Sequence, residues 1–303
     1  MSKSTGNVVN PFFALSRFGV DPLRFYLAHD GGISQDADYG NEYVVERYRK
    51  GLQGGLGNLA SRVLRGKRWS VPRAVQRFAK GELGTPPAWV DPLGADEAGA
   101  AASSSDAEND VELETESQAA STNTSASSTT PPTPLPPSSS SAPSSQPHPW
   151  PPAEAALWQH LHLTTTRVTT RYTALDASSA CKKVLALVYA TNAYLQSAAP
   201  WTSRALSQTP LASTPFDSSV SDLVELDRTI YLCAESLRLT GLMLLPVMPE
   251  RMGRLLDMLG VKGERRDWSW VVPGKDGVFG TPGEGVGLGR GVEGVLFPPL
   301  EDP

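Results

Sequence analysis

The side chains with the clearest chemical potential are an Asn and an Arg four positions apart on one predicted helix. Asn58 and Arg62 each lie one residue before Leu59 and Val63, which belong to the apolar stripe of that helix. Residues four apart share a helix face, so both side chains can reach solvent together and offer hydrogen bonds to a ligand. The alternative is that they only cover an exposed helix surface.

A third candidate is Trp201, which directly follows a proline that ends a helix. Pro200 cannot continue the helix predicted from about 179 to 199, so the indole ring after it is held rigidly. A rigid aromatic ring can stack on a flat ligand at little entropic cost. It can equally plug the end of a helix, and both interpretations stay open.

The charges of the chain are distributed unevenly. The 303 residues carry a net charge of −5, yet the first 80 residues hold 13 basic and 6 acidic side chains. This pattern favours an anionic partner for the basic part, with nucleic acid as the leading candidate. The basic run from Arg65 to Lys80 is either a solvated face or a phosphate contact.

Other kinds of site find little support. Two cysteines, Cys181 and Cys233, suit reduced thiols in an intracellular protein better than a disulfide framework or a four-ligand zinc site. His160 and His162 are two apart on a predicted helix and point to different sides, so no metal site is predicted. No apolar run approaches the roughly 18 to 20 residues of a membrane helix, and no membrane partner is expected.

The middle of the chain has the composition of a disordered segment. From 119 to 147, 26 of 29 residues are Ala, Ser, Thr or Pro, and an acidic Ser-rich stretch precedes them. Such a segment has too little apolar surface to offset its ordering entropy. The sequence therefore predicts a disordered insert over 81–152 that splits one folded unit.

Hydrophobic spacing on both sides of the insert predicts helices and no substantial sheet, which makes the fold class all-α. Asn10-Pro11 and Asp21-Pro22 signal the starts of two short helices within 1–40. Longer helices are expected over about 41–65, 153–176, 179–199, 218–245 and 249–259. A helical bundle would then be formed by 41–80 and 153–260, with 261–303 as an irregular tail packed on it.

The start of the chain resembles the KMSKS nucleotide loop of class I aminoacyl-tRNA synthetases. Met1-Ser2-Lys3-Ser4-Thr5-Gly6-Asn7 lacks only the first lysine of that signature, and Phe18–Leu27 resembles the segment that methionyl-tRNA synthetases place after the loop. The resemblance implies ATP binding, with Mg, at Met1, Ser2, Lys3 and Ser4. It implies a catalytic role for Lys3, whose ammonium group would meet the charge growing on the departing pyrophosphate.

A second set of residues resembles the anticodon site of the same family. Gly57-Asn58-Leu59-Ala60-Ser61-Arg62 is one part, and Asn192-Ala193-Tyr194 followed by Pro200-Trp201 is the other. The resemblance implies that Trp201 stacks on an unstacked anticodon base, while Asn58 and Arg62 hydrogen-bond base edges. The implied partner is a methionine-accepting tRNA.

Two features of the family are missing from the chain. It has no His-x-Gly-His motif of the Rossmann catalytic domain, and no zinc knuckle. We therefore interpret it as the carboxyl-terminal fragment of a methionyl-tRNA synthetase of bacterial or mitochondrial type, beginning inside the KMSKS loop. It would hold that loop, the stem-contact helices and the anticodon-binding bundle.

If the chain is such a fragment, its expected function is part of the activity of a longer enzyme. The full-length activity would be ATP-dependent ligation of methionine to its tRNA, with ATP and methionine bound only together with the missing upstream domain. The chain alone is expected to be inactive. Its expected location is intracellular, in the mitochondrial matrix or the cytoplasm. The alternative is a non-catalytic RNA-binding or assembly module, and an upstream reading frame encoding a Rossmann domain would distinguish the two.

Overall fold

Helices form the regular structure of the described part of the chain. The computed structural model describes residues 10–31, 39–90, 149–203, 216–283, 286 and 294–300, with the backbone alone for 216–220. Its α-helices are α1 (Pro11–Phe18), α2 (Val20–Asp30), α3 (Asn41–Arg47), α4 (Asn58–Leu64), α5 (Val71–Ala79), α6 (Pro152–Thr173), α7 (Ala177–Ala198), α8 (Phe216–Leu244) and α9 (Pro249–Met258). Across these ranges there is no strand, and Thr85 and Pro149 form an isolated bridge. The all-α prediction is confirmed.

Capping residues set the ends of the first helix as the sequence predicts. The Asn10 side chain accepts hydrogen bonds from the backbone N–H groups of Phe12 and Phe13, at 3.0 and 3.4 Å. Pro11 occupies the first turn, where its missing N–H costs nothing. Gly19 ends the helix with a φ of 80°, a conformation that a residue with a Cβ rarely adopts.

The helix expected over 41–65 is not uniformly α-helical. Between α3 and α4 the segment Tyr48–Gly57 is a π-helix. Its apolar residues Tyr48, Leu52 and Leu56 are four apart, which is more than the about 3.6 residues of an α-helical turn. Because a π-helix has more residues per turn, these side chains stay on the inward face. The whole stripe is at most 3 % exposed: Val44, Tyr48, Leu52, Leu56, Leu59 and Val63.

Glycines in the π-helix allow α7 to approach closely. A Cβ at Gly51 would lie 3.2 Å from Leu185 Cδ1, and a Cβ at Gly55 would lie 3.2 Å from Tyr189 Cε1. Both distances are shorter than ordinary van der Waals contact. The backbone of the segment that leads into α4 is therefore seated directly against α7.

Helix α8 is the centre of the bundle. Every residue from Leu226 to Leu244 is buried, and α8 contacts α4, α5, α6, α7 and α9. A helix buried on all sides must pair its charged groups. Arg238 and Glu235 do so at 2.6 Å with neither side chain exposed to solvent.

The second helix is fixed to the carboxyl-terminal part of the bundle by polar contacts. The Arg24 guanidinium donates to the carbonyl oxygens of Val247 and Pro246 at 2.8 and 2.9 Å. The Asp21 carboxylate accepts a hydrogen bond of 2.6 Å from the backbone N–H of Arg251, in the first turn of α9. The segment after the KMSKS-like residues therefore has a defined place on the bundle.

The insert is narrower than the predicted range 81–152. Leu83 and Trp150 are 0 % and 6 % exposed, and the Trp150 Nε1 donates to the Leu83 carbonyl oxygen at 2.9 Å. One compact unit takes in the chain up to Trp89 and again from Pro147, whereas the second unit, 90–146, lies outside the described residues except for Val90. Composition predicts too long an insert at both ends. A single buried apolar side chain, Leu83 on one side and Trp150 on the other, is enough to hold the flanking backbone in the fold.

The described part of the tail predicted over 261–303 packs on the bundle. Arg238 Nη1 and Nη2 donate to the carbonyl oxygens of Trp270 and Val272, both at 2.9 Å. Phe279 and Phe297 are 2 % and 0 % exposed. The buried ion pair of α8 thus holds irregular backbone in place.

Candidate nucleic-acid interface

The fold brings Arg62 and Trp201 into contact, although one lies before the insert and the other after it. The Arg62 Cζ is 5.0 Å from the centroid of the Trp201 ring. This distance is typical of a cation–π contact, in which a guanidinium group lies over an aromatic face. Two of the three candidate anticodon residues therefore form one surface.

Helix α4 presents Asn58 and Arg62 as the four-residue spacing predicts. Leu59 and Val63 are fully buried beneath it. Asn58 is exposed and Arg62 half-buried, and Asn58 makes no side-chain hydrogen bond with another described residue. Its amide can offer both a donor and an acceptor to a ligand.

Trp201 lies on a short turn that follows α7. Ala199 ends the helix in the left-handed region, with a φ of 40°, and Pro200–Thr202 form a 3₁₀ turn whose proline is buried. The ring of Trp201 is half-buried and packs against the core. Trp201 therefore packs on the core just beyond the end of α7 and stays partly exposed.

Two further polar residues contact this surface: Gln196, which the sequence did not single out, and Arg68, which the sequence placed in the basic run. The Gln196 Oε1 accepts a hydrogen bond of 2.8 Å from Arg62 Nη2. The Arg68 Nη1 donates to the carbonyl oxygen of Trp201 at 2.9 Å. Neither contact has a sequence signal, since each joins residues from opposite sides of the insert.

The other motif residues of α7 have structural roles. Asn192 Nδ2 donates to the carbonyl oxygen of Gly55 at 3.2 Å, tying α7 to the π-helix. The Tyr194 hydroxyl group lies 3.1 Å from Thr229 Oγ1, and burial raises the pKa of that phenol well above its usual value. Both side chains hold α7 in position.

The basic run from Arg65 to Lys80 is not a continuous phosphate-binding face. Arg73 Nη2 and Arg77 Nη1 contact the two carboxylate oxygens of Asp227 at 2.7 and 2.8 Å. Asp227 is fully buried, so these two guanidinium groups are committed to neutralising it. Arg73 and Arg77 therefore have a structural role in the fold, whereas Lys67 and Arg68 are exposed and the phosphate interpretation stays a prediction for them.

The remaining candidates divide into two groups. Met1, Ser2, Lys3 and Ser4 lie outside the described residues. Cys181 and Cys233 are buried, and burial raises the pKa of each thiol to about 12.

Among the described residues no cluster of His, Cys, Asp or Glu could hold a metal ion. None of the helices described is long and apolar enough to cross a membrane.

Residues 1–64 match the family model described as tRNA synthetases class I (M). A probable mitochondrial methionine–tRNA ligase of Neurospora crassa is 32% identical over 302 residues, which is 100% of this chain and 36% of the relative. A mitochondrial methionine–tRNA ligase of Candida albicans is 25% identical over 276 residues, covering 89% of this chain and 38% of the relative.

A solved structure has the same fold. Mycobacterium tuberculosis methionyl-tRNA synthetase bound by methionyl-adenylate aligns with a TM-score of 0.56 and 22% identity, covering 98% of this chain and 41% of that one. This chain thus spans little more than a third of the length of the two fungal relatives, and both are named as mitochondrial. Over its whole length the chain is similar to methionyl-tRNA synthetases, and it matches their carboxyl-terminal part.

Proposed function

We propose that this chain supplies the anticodon-binding part of a methionine–tRNA ligase, in which Asn58, Arg62 and Trp201 recognise the anticodon. The observation that carries the proposal is the contact of 5.0 Å between the Arg62 guanidinium and the Trp201 ring. It brings an aromatic ring and a hydrogen-bonding group into one surface, next to the exposed amide of Asn58.

The chemistry of this surface suits unpaired RNA bases. A base in an anticodon loop exposes a flat face and a Watson–Crick edge, and sequence-specific RNA recognition uses both. An indole ring can take the face, and Asn and Arg side chains can take the edge. The exposed cations Lys67 and Arg68 can contact phosphates nearby.

The whole protein would then ligate methionine to tRNA through an adenylate. The solved relative contains methionyl-adenylate, which supports the use of ATP, and we propose Mg as its companion ion. Met1, Ser2, Lys3 and Ser4 would contact the nucleotide, with Lys3 stabilising the charge of the departing pyrophosphate. The fungal relatives support a place in the mitochondrial matrix.

The test is a binding titration with the 303-residue chain. A methionine-accepting anticodon stem-loop is compared with an otherwise identical stem-loop in which one anticodon base is changed. The proposal predicts weaker binding of the changed loop by at least about fivefold, because a base edge that no longer matches leaves a hydrogen-bonding group unsatisfied at a cost of about 1 to 3 kcal/mol. Equal affinity for both loops would contradict it.

A further inference from the structure

Gln196 joins the two halves of the candidate interface. Its side-chain oxygen accepts the hydrogen bond of 2.8 Å from Arg62 Nη2. Gln196 lies on α7 and Arg62 on α4, so the bond bridges two helices. The Gln196 side chain is exposed, so it adds no buried surface to the core.

The bond restricts the orientation of the Arg62 guanidinium. This group is a planar fork with five N–H donors, and its usefulness to a partner depends on where the fork points. The contact with the Trp201 ring locates the centre of the fork, and the hydrogen bond to Gln196 locates one of its nitrogens. Arg68 in turn holds the backbone of Trp201 through its carbonyl oxygen.

We propose that Gln196 is a positioning residue for anticodon discrimination: by accepting a hydrogen bond from Arg62, it presents the guanidinium to the RNA in one orientation. The proposal rests on the proposed function, because it assigns Gln196 to that same surface. Gln196 acts through Arg62 and needs no contact of its own with the RNA. A side chain that only stabilised α7 would not affect the choice between two anticodons.

The experiment measures the affinity of the 303-residue chain for the methionine anticodon stem-loop and for the loop with one changed base. Gln196→Ala removes the acceptor, whereas Gln196→Glu keeps an oxygen in reach of Arg62. Gln76→Ala is the matched control, since Gln76 is an exposed glutamine on α5. All variants are compared well below their unfolding temperatures.

We expect Gln196→Ala to reduce the ratio of the two affinities by about three- to tenfold, the effect of one hydrogen bond. Gln76→Ala should leave the ratio unchanged. Gln196→Glu should retain the ratio while binding both loops more weakly, because it adds a negative charge beside RNA. In an Arg62→Ala background, Gln196→Ala should have no further effect, since its target is gone.

The results separate this inference from the proposed function. If the unmodified chain prefers the methionine anticodon and Gln196→Ala prefers it equally well, the inference about Gln196 is wrong and the proposed function stands. An effect of Gln196→Ala that persists without Arg62 would also overturn it. If the unmodified chain has no preference, the proposed function fails and this inference fails with it.

Discussion

At the scale of single residues, the most consequential pair outside the interface is Glu235 with Arg238. Both side chains are fully buried on α8, and the guanidinium also donates to two backbone carbonyl oxygens of the tail. The Glu235 carboxylate accepts a further hydrogen bond of 2.8 Å from the backbone N–H of Gly274. The ion pair on α8 therefore also provides hydrogen-bond partners for the tail backbone at Trp270, Val272 and Gly274.

Arg238→Ala should destabilise the chain by about 3 to 5 kcal/mol, because it leaves the Glu235 carboxylate buried without its partner. The measurement is equilibrium unfolding in urea. Arg171→Ala is the matched control, since Arg171 is half-exposed and pairs with Asp176 at 3.4 Å. The control should cost no more than about 1 kcal/mol, and equal losses in the two variants would contradict this account of the pair.

The sequence predicted part of the interface at residue level. The shared face of Asn58 and Arg62 follows from their spacing, and the rigidity of Trp201 follows from Pro200. The contact between Arg62 and Trp201 could only be inferred from resemblance, because it depends on how α4 packs on the end of α7. Gln196 was missed for the same reason: an exposed glutamine has no local signal that shows its partner.

At the scale of elements, the two ends of the insert are fastened to each other at its base. The bond between the Trp150 indole and the Leu83 carbonyl oxygen is joined by one of 2.9 Å from Gln159 Nε2 to the carbonyl oxygen of Ala88. The Trp89 ring stacks on His162 with centroids 5.3 Å apart. These three contacts join the described residues on the two sides of the insertion point.

Replacing 95–145 with a short Gly/Ser linker should leave the thermal unfolding midpoint and the helical circular dichroism per molecule nearly unchanged. The inserted composition cannot sustain a core, and a long loop adds little closure entropy. Trp150→Ala should instead destabilise by about 3 to 5 kcal/mol, as for loss of a buried aromatic ring. A large drop in the midpoint on deletion would show that the insert contributes a folded element.

Element boundaries show where sequence patterns succeed and fail. The strong periodicity of α7 and the capping of α1 were sufficient to predict both helices. The π-helix was not predicted, because a stripe with four-residue intervals still reads as an amphipathic α-helix. The basic run contains helix α5, and nothing local in the sequence indicates that its Arg73 and Arg77 neutralise Asp227 on α8.

At the scale of the whole molecule, the chain corresponds to about two fifths of the solved synthetase. Recognition of tRNA can reside in the part it spans. Under the proposed function, adenylate formation uses the remaining part of the synthetase as well. We therefore expect the 303 residues to bind RNA without activating methionine.

Methionine-dependent ATP–pyrophosphate exchange checks this expectation. The 303-residue chain should show no exchange. Robust exchange would contradict the expectation that this chain binds RNA without activating methionine. In a protein that also carries the remaining part of a synthetase, Lys3→Ala should slow adenylate formation by about 10²-fold or more, as for loss of a charge-stabilising donor. Affinity for tRNA should stay nearly unchanged, and an equal loss in both would indicate a structural role for Lys3.

The central claim is that the surface formed by Asn58, Arg62 and Trp201 reads the anticodon, and Trp201→Ala tests it most directly. Affinity for the methionine anticodon stem-loop, measured well below the variant's unfolding temperature, should fall by roughly 5- to 150-fold, the worth of one stacked base. Trp201→Phe should retain part of it. Preference for the methionine anticodon over a changed one that survives undiminished in Trp201→Ala, Asn58→Ala and Arg62→Ala alike would contradict the assignment.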